Sequence, residues 1–318
     1  MQTVVLGRTG LRVSVAGLGC GGASRLGQTQ GKSFQESVDL VRSALDAGVT
    51  LVDTAVAYGT ENIVGEALRG RREGIVISTK VPISAGAHED LNNVIDADGL
   101  EAGVDGCLSR LGTDFIDILH LHAVAPSQYD HALNELLPRM ERLREKGKIR
   151  FTGLTERFST DTTHEMAERA TSDGQFDVLM LGLNFVNQSA LRSVLPKSEA
   201  AGQGTLCMFA VRGPLARRET ALALLEKLVK AGEVDPNSFD ADDPFGFLLA
   251  PGVANSMSEA AYRFCRHAPG MQVTVTGTGD PNHLKENLAA INAGALPPMV
   301  LSRLRNIFGR VTSESGQY

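Results

Sequence analysis

Four side chains of complementary chemistry follow one another along this chain: Asp53 and Tyr58 in DTAVAYG, Lys80 in ISTK, and His122 in LHLH. A free phenol has a pKa of about 10, too high to exchange a proton readily near neutrality. An ammonium group beside it stabilises the phenolate and lowers that value, and a carboxylate paired with the ammonium keeps the amine charged and in place. An imidazole next to the reacting oxygen donates a hydrogen bond or relays a proton. Taken singly, an Asp at a strand end is commonly a cap, a Tyr is core and a Lys is solvated. In this order, each at or just past the end of an apolar, β-branched run, they describe a proton-transfer site.

The elements that must position them are regular. After a β-hairpin around Arg8-Thr9-Gly10, strand-like runs fall at 15–19, 50–54, 75–79, 115–121, 149–154, 177–183, 205–211 and 273–277. Amphipathic helical patterns separate them. In SFQESVDLVRSALDAG, Val38, Val41 and Leu45 share a face, Ser33 and Glu36 form a capping box, and Gly48 ends the helix. Near-continuous apolar strands alternating with helices indicate a parallel sheet covered by helices. Eight such units close a (β/α)8 TIM barrel, whose chemistry sits on the loops after the strands. A doubly wound open sheet is the alternative. The expected architecture is therefore α/β, one barrel domain over 1–318 with an N-terminal hairpin and enlarged βα loops at 81–97, 123–130 and 212–255. Phe239, Phe245 and Phe247 in the last loop offer an apolar lid or ordinary loop packing. The tail after Pro298 ends polar, and either frays or folds over the barrel mouth.

Composition narrows the partners. A net charge of −6 and a pI near 5.7 argue against nucleic acid or an acidic membrane. Cys20, Cys107, Cys207 and Cys265 are scattered without a CxxC pair, which points to a reducing, cytoplasmic setting and away from structural zinc. No signal peptide or membrane span is evident. Trp is absent, so aromatic walls must use Tyr or Phe.

Several short patterns do not carry their usual chemistry. Gly17, Gly19 and Gly22 match G-x-G-x-x-G, but the polar, Gly-rich ASRLGQTQGK follows where a helix should open. A tight turn at the barrel mouth is the better reading. GQTQGKS has the wrong glycine spacing for a P-loop. The basic run from Arg139 to Arg150 is interleaved with Glu141 and Glu145 and reads as a solvated helix end. His120 and His122 share one side of a strand, without further ligands nearby for a metal.

The segments LGRTGLRVSVAGLG, LDAGVTLVDTAVAYGTENIVGEAL, ISTK, LSRLGTDFIDILHLH, GKIRFTGLTE and TGTGDPNHLKENL run nearly from end to end of the chain, and in them it resembles the aldo-keto reductases. That resemblance implies an NAD(P)-dependent barrel oxidoreductase acting on a small carbonyl or alcohol substrate. It implies Tyr58 as general acid/base, Lys80 and Asp53 tuning it, and His122 orienting the carbonyl. It places NADP(H) or NAD(H) along Gly19, Cys20, Asp53, Thr155, Glu156, Met180, Val211, Arg212, Gly213, Pro214, Leu215, Gly277, Thr278, Gly279, His283, Glu286 and Asn287. Departures concentrate there. Thr155-Glu156 replaces Ser-Asn at the carboxamide, Met180 replaces Gln, and Val211 stands where a stacking Tyr is usual. Arg212 is expected either to pair with the pyrophosphate or to form a salt bridge. Gly279 stands where an Arg binds the 2′-phosphate, beside Asp280, so a preference for NADPH is expected to be weak. Two other functions compete: a lyase with a Schiff base on Lys80, and a non-catalytic, regulatory NAD(P)-binding protein similar to the potassium-channel beta subunits of this superfamily.

Overall fold

A computed structural model describes residues 1–84 and 91–316, with the side chains of Asn92 and Pro214 left aside. His88, the middle of the 81–97 loop and the last two residues lie outside the described residues. The hairpin pairs β1 (Thr3–Val5) with β2 (Arg12–Ser14). The remaining strands are β3 (Ala16–Gly19), β4 (Leu51–Asp53), β5 (Val76–Pro82), β6 (Ile116–Val124), β7 (Ile149–Glu156), β8 (Val178–Gly182), β9 (Gly204–Met208) and β10 (Val273–Thr276). They close in the order β10-β3-β4-β5-β6-β7-β8-β9. Each expected strand is present, and every neighbouring pair in the barrel is parallel.

Alternation along each strand sorts residues between the barrel interior and the helix layer. Leu51, Val76, Ile118, Val178, Met180, Leu206 and Val273 form an apolar floor, plugged from below by Leu6, Leu11 and Val13 of the hairpin. Two residues further along, the interior turns polar at Asp53, Ser78 and His120, and Lys80 follows two residues after Ser78, all buried. Met180 packs with this apolar set while standing in register with Thr155 of β7. Gly153 keeps the interior open at this level, since a Cβ there would meet His120 Nδ1 at 2.4 Å.

The helices deliver the strands to these positions. Phe34–Asp46 starts on the expected box: Ser33 accepts from the Glu36 N–H, and Glu36 accepts in return from the Ser33 N–H. Pro281–Asn292 starts with Asp280 as cap and Pro281 in its first turn. The basic run is a solvated ion-pair face: Arg139 meets Asp98 and Glu101, Lys148 meets Asp105, and Arg150 meets Asp117.

The chain end is more structured than its composition suggests. Pro298–Phe308 is a helix. The irregular segment after it is tied down by Asn184 and Asn187, which donate to the carbonyls of Ser315 and Glu314. Phe245 is core, packed between Phe185 and Phe308, and Arg303 covers the Phe247 ring. These two rings pack within the fold. Among the described residues no helix is long and apolar enough to cross a membrane.

Candidate active site

The first of the four residues comes from β4. Asp53 is its last residue and stands level with Ser78 of β5, whose hydroxyl donates to Oδ1 at 2.7 Å. Two residues along β5, Lys80 points to the same side. Its Nζ donates to Asp53 Oδ1 at 2.7 Å, to Oδ2 at 2.6 Å and to the Thr54 carbonyl at 2.8 Å. The amine is fully buried and all three of its protons are used. Burial alone would pull the Lys80 pKa down; Asp53, helped by Tyr58, more than reverses this, and the net shift is upward.

Tyr58 ends a short 3-10 turn, Val56–Tyr58, that Gly59 terminates at φ +71°. Its ring lies 5.0 Å from the Lys80 ammonium, measured to the centroid. Its hydroxyl is 3.5 Å from His122 Nε2, with the two rings nearly perpendicular at 87°. The ring rests on Gly21, where a Cβ would approach it to 2.6 Å. The net pKa of the phenol is raised, against the sequence expectation of a lowered one. Burial dominates, and Lys80 and then Arg212 only partly offset it. His122, on β6 level with Pro82, is pushed down to about 3 by burial, reinforced by Lys80 and Arg157. It is a neutral imidazole throughout the ordinary pH range. The deeper His120 is also pushed well down, for the same first reason, burial.

Residues expected around a cofactor are arranged less uniformly. Cys20 is buried, and its N–H donates to the Asp53 carbonyl at 2.8 Å. Gly19 and Gly277 press backbone against backbone: a Cβ on Gly277 would lie 2.6 Å from the Gly19 carbonyl oxygen. Thr155 faces the interior, where its Oγ1 accepts the Ala123 N–H at 2.7 Å. Glu156, one residue on, takes the opposite side of β7. Its carboxylate accepts from His164 Nδ1 at 2.9 and 3.0 Å and from the Gly182 N–H at 2.6 Å. Thr155 and Glu156 therefore do not act as a pair at one ligand, because consecutive strand residues face opposite ways. His164 was not anticipated; it lies eight residues further along in a loop, held at φ +67°, with no periodic signal to mark it.

At the far side, Val211 and Arg212 are half-buried, Gly213 is exposed and Leu215 is buried. Gly279 is packed against Gly27 and Gln30, leaving no room for a Cβ. Thr278 Oγ1 accepts the Asp280 N–H, and Asp280 turns to the N–H groups of Asn282 and His283. Asn287 donates to the Thr276 hydroxyl at 3.0 Å, whereas Glu286 and His283 are exposed. The expected Glu286–Asn287 pair is thus split between solvent and fold.

Comparison with known proteins agrees with this geometry. Residues 17–308 match the Aldo/keto reductase family. The chain is 31% identical to L-galactose dehydrogenase of Arabidopsis thaliana over 209 residues, 63% of this chain and 62% of that protein. It is 30% identical to aldo-keto reductase YhdN of Bacillus subtilis over 235 residues, 69% of this chain and 66% of that one. The aligned stretches span just under two thirds of these curated relatives. The holo form of aldo-keto reductase AKR11C1 from Bacillus halodurans shares the fold, with a TM-score of 0.74 over 99% of both chains at 21% identity. Because the family match runs from the first barrel strand to the last helix, far beyond any single motif, the chain belongs to the aldo/keto reductase family.

Proposed function

We propose that this protein is an NAD(P)-dependent oxidoreductase interconverting a carbonyl and its alcohol, with Tyr58 as general acid/base. The observation that carries this reading is the Tyr58 hydroxyl 3.5 Å from a neutral His122, above a Lys80 ammonium bound to both oxygens of Asp53. In the direction of reduction, Tyr58 gives its proton to the carbonyl oxygen as charge develops there. The phenolate left behind faces the Lys80 ammonium, which Asp53 keeps charged. His122 donates an N–H to the same oxygen and orients it. A Schiff base on Lys80 fits poorly, since all three protons of its ammonium are already committed.

The donor set of the mouth fits a dinucleotide. The Thr155 hydroxyl accepts from Ala123, and its own proton meets no acceptor among the described residues. Gly213 and Gly277 expose bare backbone, and His283 and Glu286 are exposed on one helix. These residues would hold the cofactor, whose nicotinamide supplies the hydride chemistry. Glu156, engaged with His164, and Met180, packed with the apolar set, are left out of this assignment.

Two results are expected. Burial holds Tyr58 protonated across neutral pH. Reduction should therefore be insensitive to pH between about 6 and 9, whereas alcohol oxidation, which needs the phenolate, should rise with pH without reaching a plateau below about 10. Initial rates in both directions with one substrate pair check this; an oxidation rate that levels off near pH 7 refutes it. Cofactor choice is the second. Gly279 supplies no charge, and Asp280 carries a carboxylate whose pKa is lowered by the His283 and Asn282 N–H groups. The Kd values for NADPH and NADH should differ by less than tenfold, about 1.4 kcal/mol. Fluorescence titration with each decides it.

A further inference from the structure

Among the described residues, Arg212 carries a charge that no carboxylate answers. Several other partly buried arginines are paired, Arg72 with Asp117, Arg110 with Glu61 and Arg263 with Glu259, whereas Arg266 contacts Gln2 and Arg303 the Phe247 ring. Among the described residues, no Asp or Glu lies within ion-pair distance of Arg212, and the ionisable groups acting on it are the phenols of Tyr58 and Tyr262. Leaving a guanidinium half-buried and unpaired costs stability, and such a cost is offset where a ligand brings the anion.

The surroundings hold this cation ready. Its Cζ lies 3.9 Å from the centroid of the Phe209 ring. Phe209 itself sits at φ +65°, a rare conformation for a bulky residue, and packs edge-on against Phe158 at 5.5 Å. Stacking on a ring face leaves the in-plane N–H fork free for a two-oxygen acceptor. The position relative to the acid/base is set by Gly21-Gly22. Tyr58 rests on Gly21, and a Cβ on Gly22 would lie 4.0 Å from Arg212 Nη1. Consecutive Cα atoms are about 3.8 Å apart, so phenol and guanidinium border the same two-residue shelf.

We propose that Arg212 anchors a carboxylate of the substrate, so that the pocket selects small carbonyl compounds bearing an acid group a few bonds from the carbonyl: short oxo acids and the matching hydroxy acids. This rests on the oxidoreductase reading, and it gives to the substrate an arginine that family resemblance gives to the cofactor's pyrophosphate.

The test compares 2-oxobutanoate and 4-oxobutanoate with their methyl esters, in the wild type, Arg212→Gln and Arg212→Lys. For at least one chain length the wild type should favour acid over ester by tenfold or more in kcat/KM. Arg212→Gln should lower that ratio at least tenfold, mainly through KM, with Arg212→Lys in between. A wild type that does not favour either acid, or a smaller fall in the ratio, overturns the proposal. So does an unchanged ratio accompanied by tenfold weaker NADPH and NADH binding, which would return Arg212 to the cofactor. If the wild type reduces none of the four, the oxidoreductase reading has failed for this class, and calorimetric titration with oxamate decides the anchor separately. Heat in the wild type that is lost in Arg212→Gln supports it; no heat in the wild type overturns it.

Discussion

Tyr58→Phe is expected to lower kcat for carbonyl reduction by about 10²- to 10⁴-fold, the usual contribution of a positioned general acid, while the folded state is nearly unchanged. Its contact to His122 is long, at 3.5 Å, and the neighbouring Lys80 ammonium stays bound to Asp53 and the Thr54 carbonyl, so removing the hydroxyl strands no buried charge. The ring stays wedged between Gly21 and the Lys80 ammonium. Steady-state kinetics alongside urea unfolding separates the two effects. A variant that keeps a third of wild-type kcat would remove Tyr58 from the chemistry and favour a regulatory, non-catalytic reading. His122→Gln, which keeps a neutral donor, should cost much less than Tyr58→Phe.

The second large effect concerns stability. Asp53→Ala leaves a fully buried ammonium with the Thr54 carbonyl and the Tyr58 ring but no anion, and breaking a buried pair in this way costs about 3–5 kcal/mol. The pH dependence gives the sign. In the wild type the folded pKa of Lys80 is raised, so the pair's contribution is fully present below the unfolded value of about 10.4 and is lost as pH rises through the folded one. In Asp53→Ala the anion that chiefly offsets burial is gone, the folded pKa falls, and the penalty should shrink as pH rises towards 10. The double variant Asp53→Ala/Lys80→Met should regain much of the lost stability without regaining activity. A cost below about 1 kcal/mol for the single variant would mean that the pair does not hold a buried charge.

The barrel was legible because its strands are buried on both faces and so appear as short apolar runs. Their ends were legible because Asp, Lys and His interrupt those runs abruptly. What escaped was decided by contacts distant in sequence. Nothing near Glu156 announces that β7 continues through it and turns its carboxylate to His164. Nothing near Asn287 announces that its amide is spent on Thr276. The closing helix Pro298–Phe308 was hidden in a tail read by its polar end, though Val300, Leu304, Ile307 and Phe308 are buried. Arg212 sits between these cases: its residue type drew notice, but only the structure shows that no carboxylate among the described residues reaches it.

The shelf under Tyr58 separates possession of the four residues from their placement. A methyl group on Gly21 would press on the edge of the Tyr58 ring, where it would meet Cε2 at 2.6 Å, and the ring would have to shift to admit it. The displaced hydroxyl would no longer stand over the place where a carbonyl oxygen must sit. A sequence could therefore keep all four proton-handling residues, yet be silent. When related chains are sorted into working enzymes and retired ones, the small residue at this position carries as much information as the tyrosine above it.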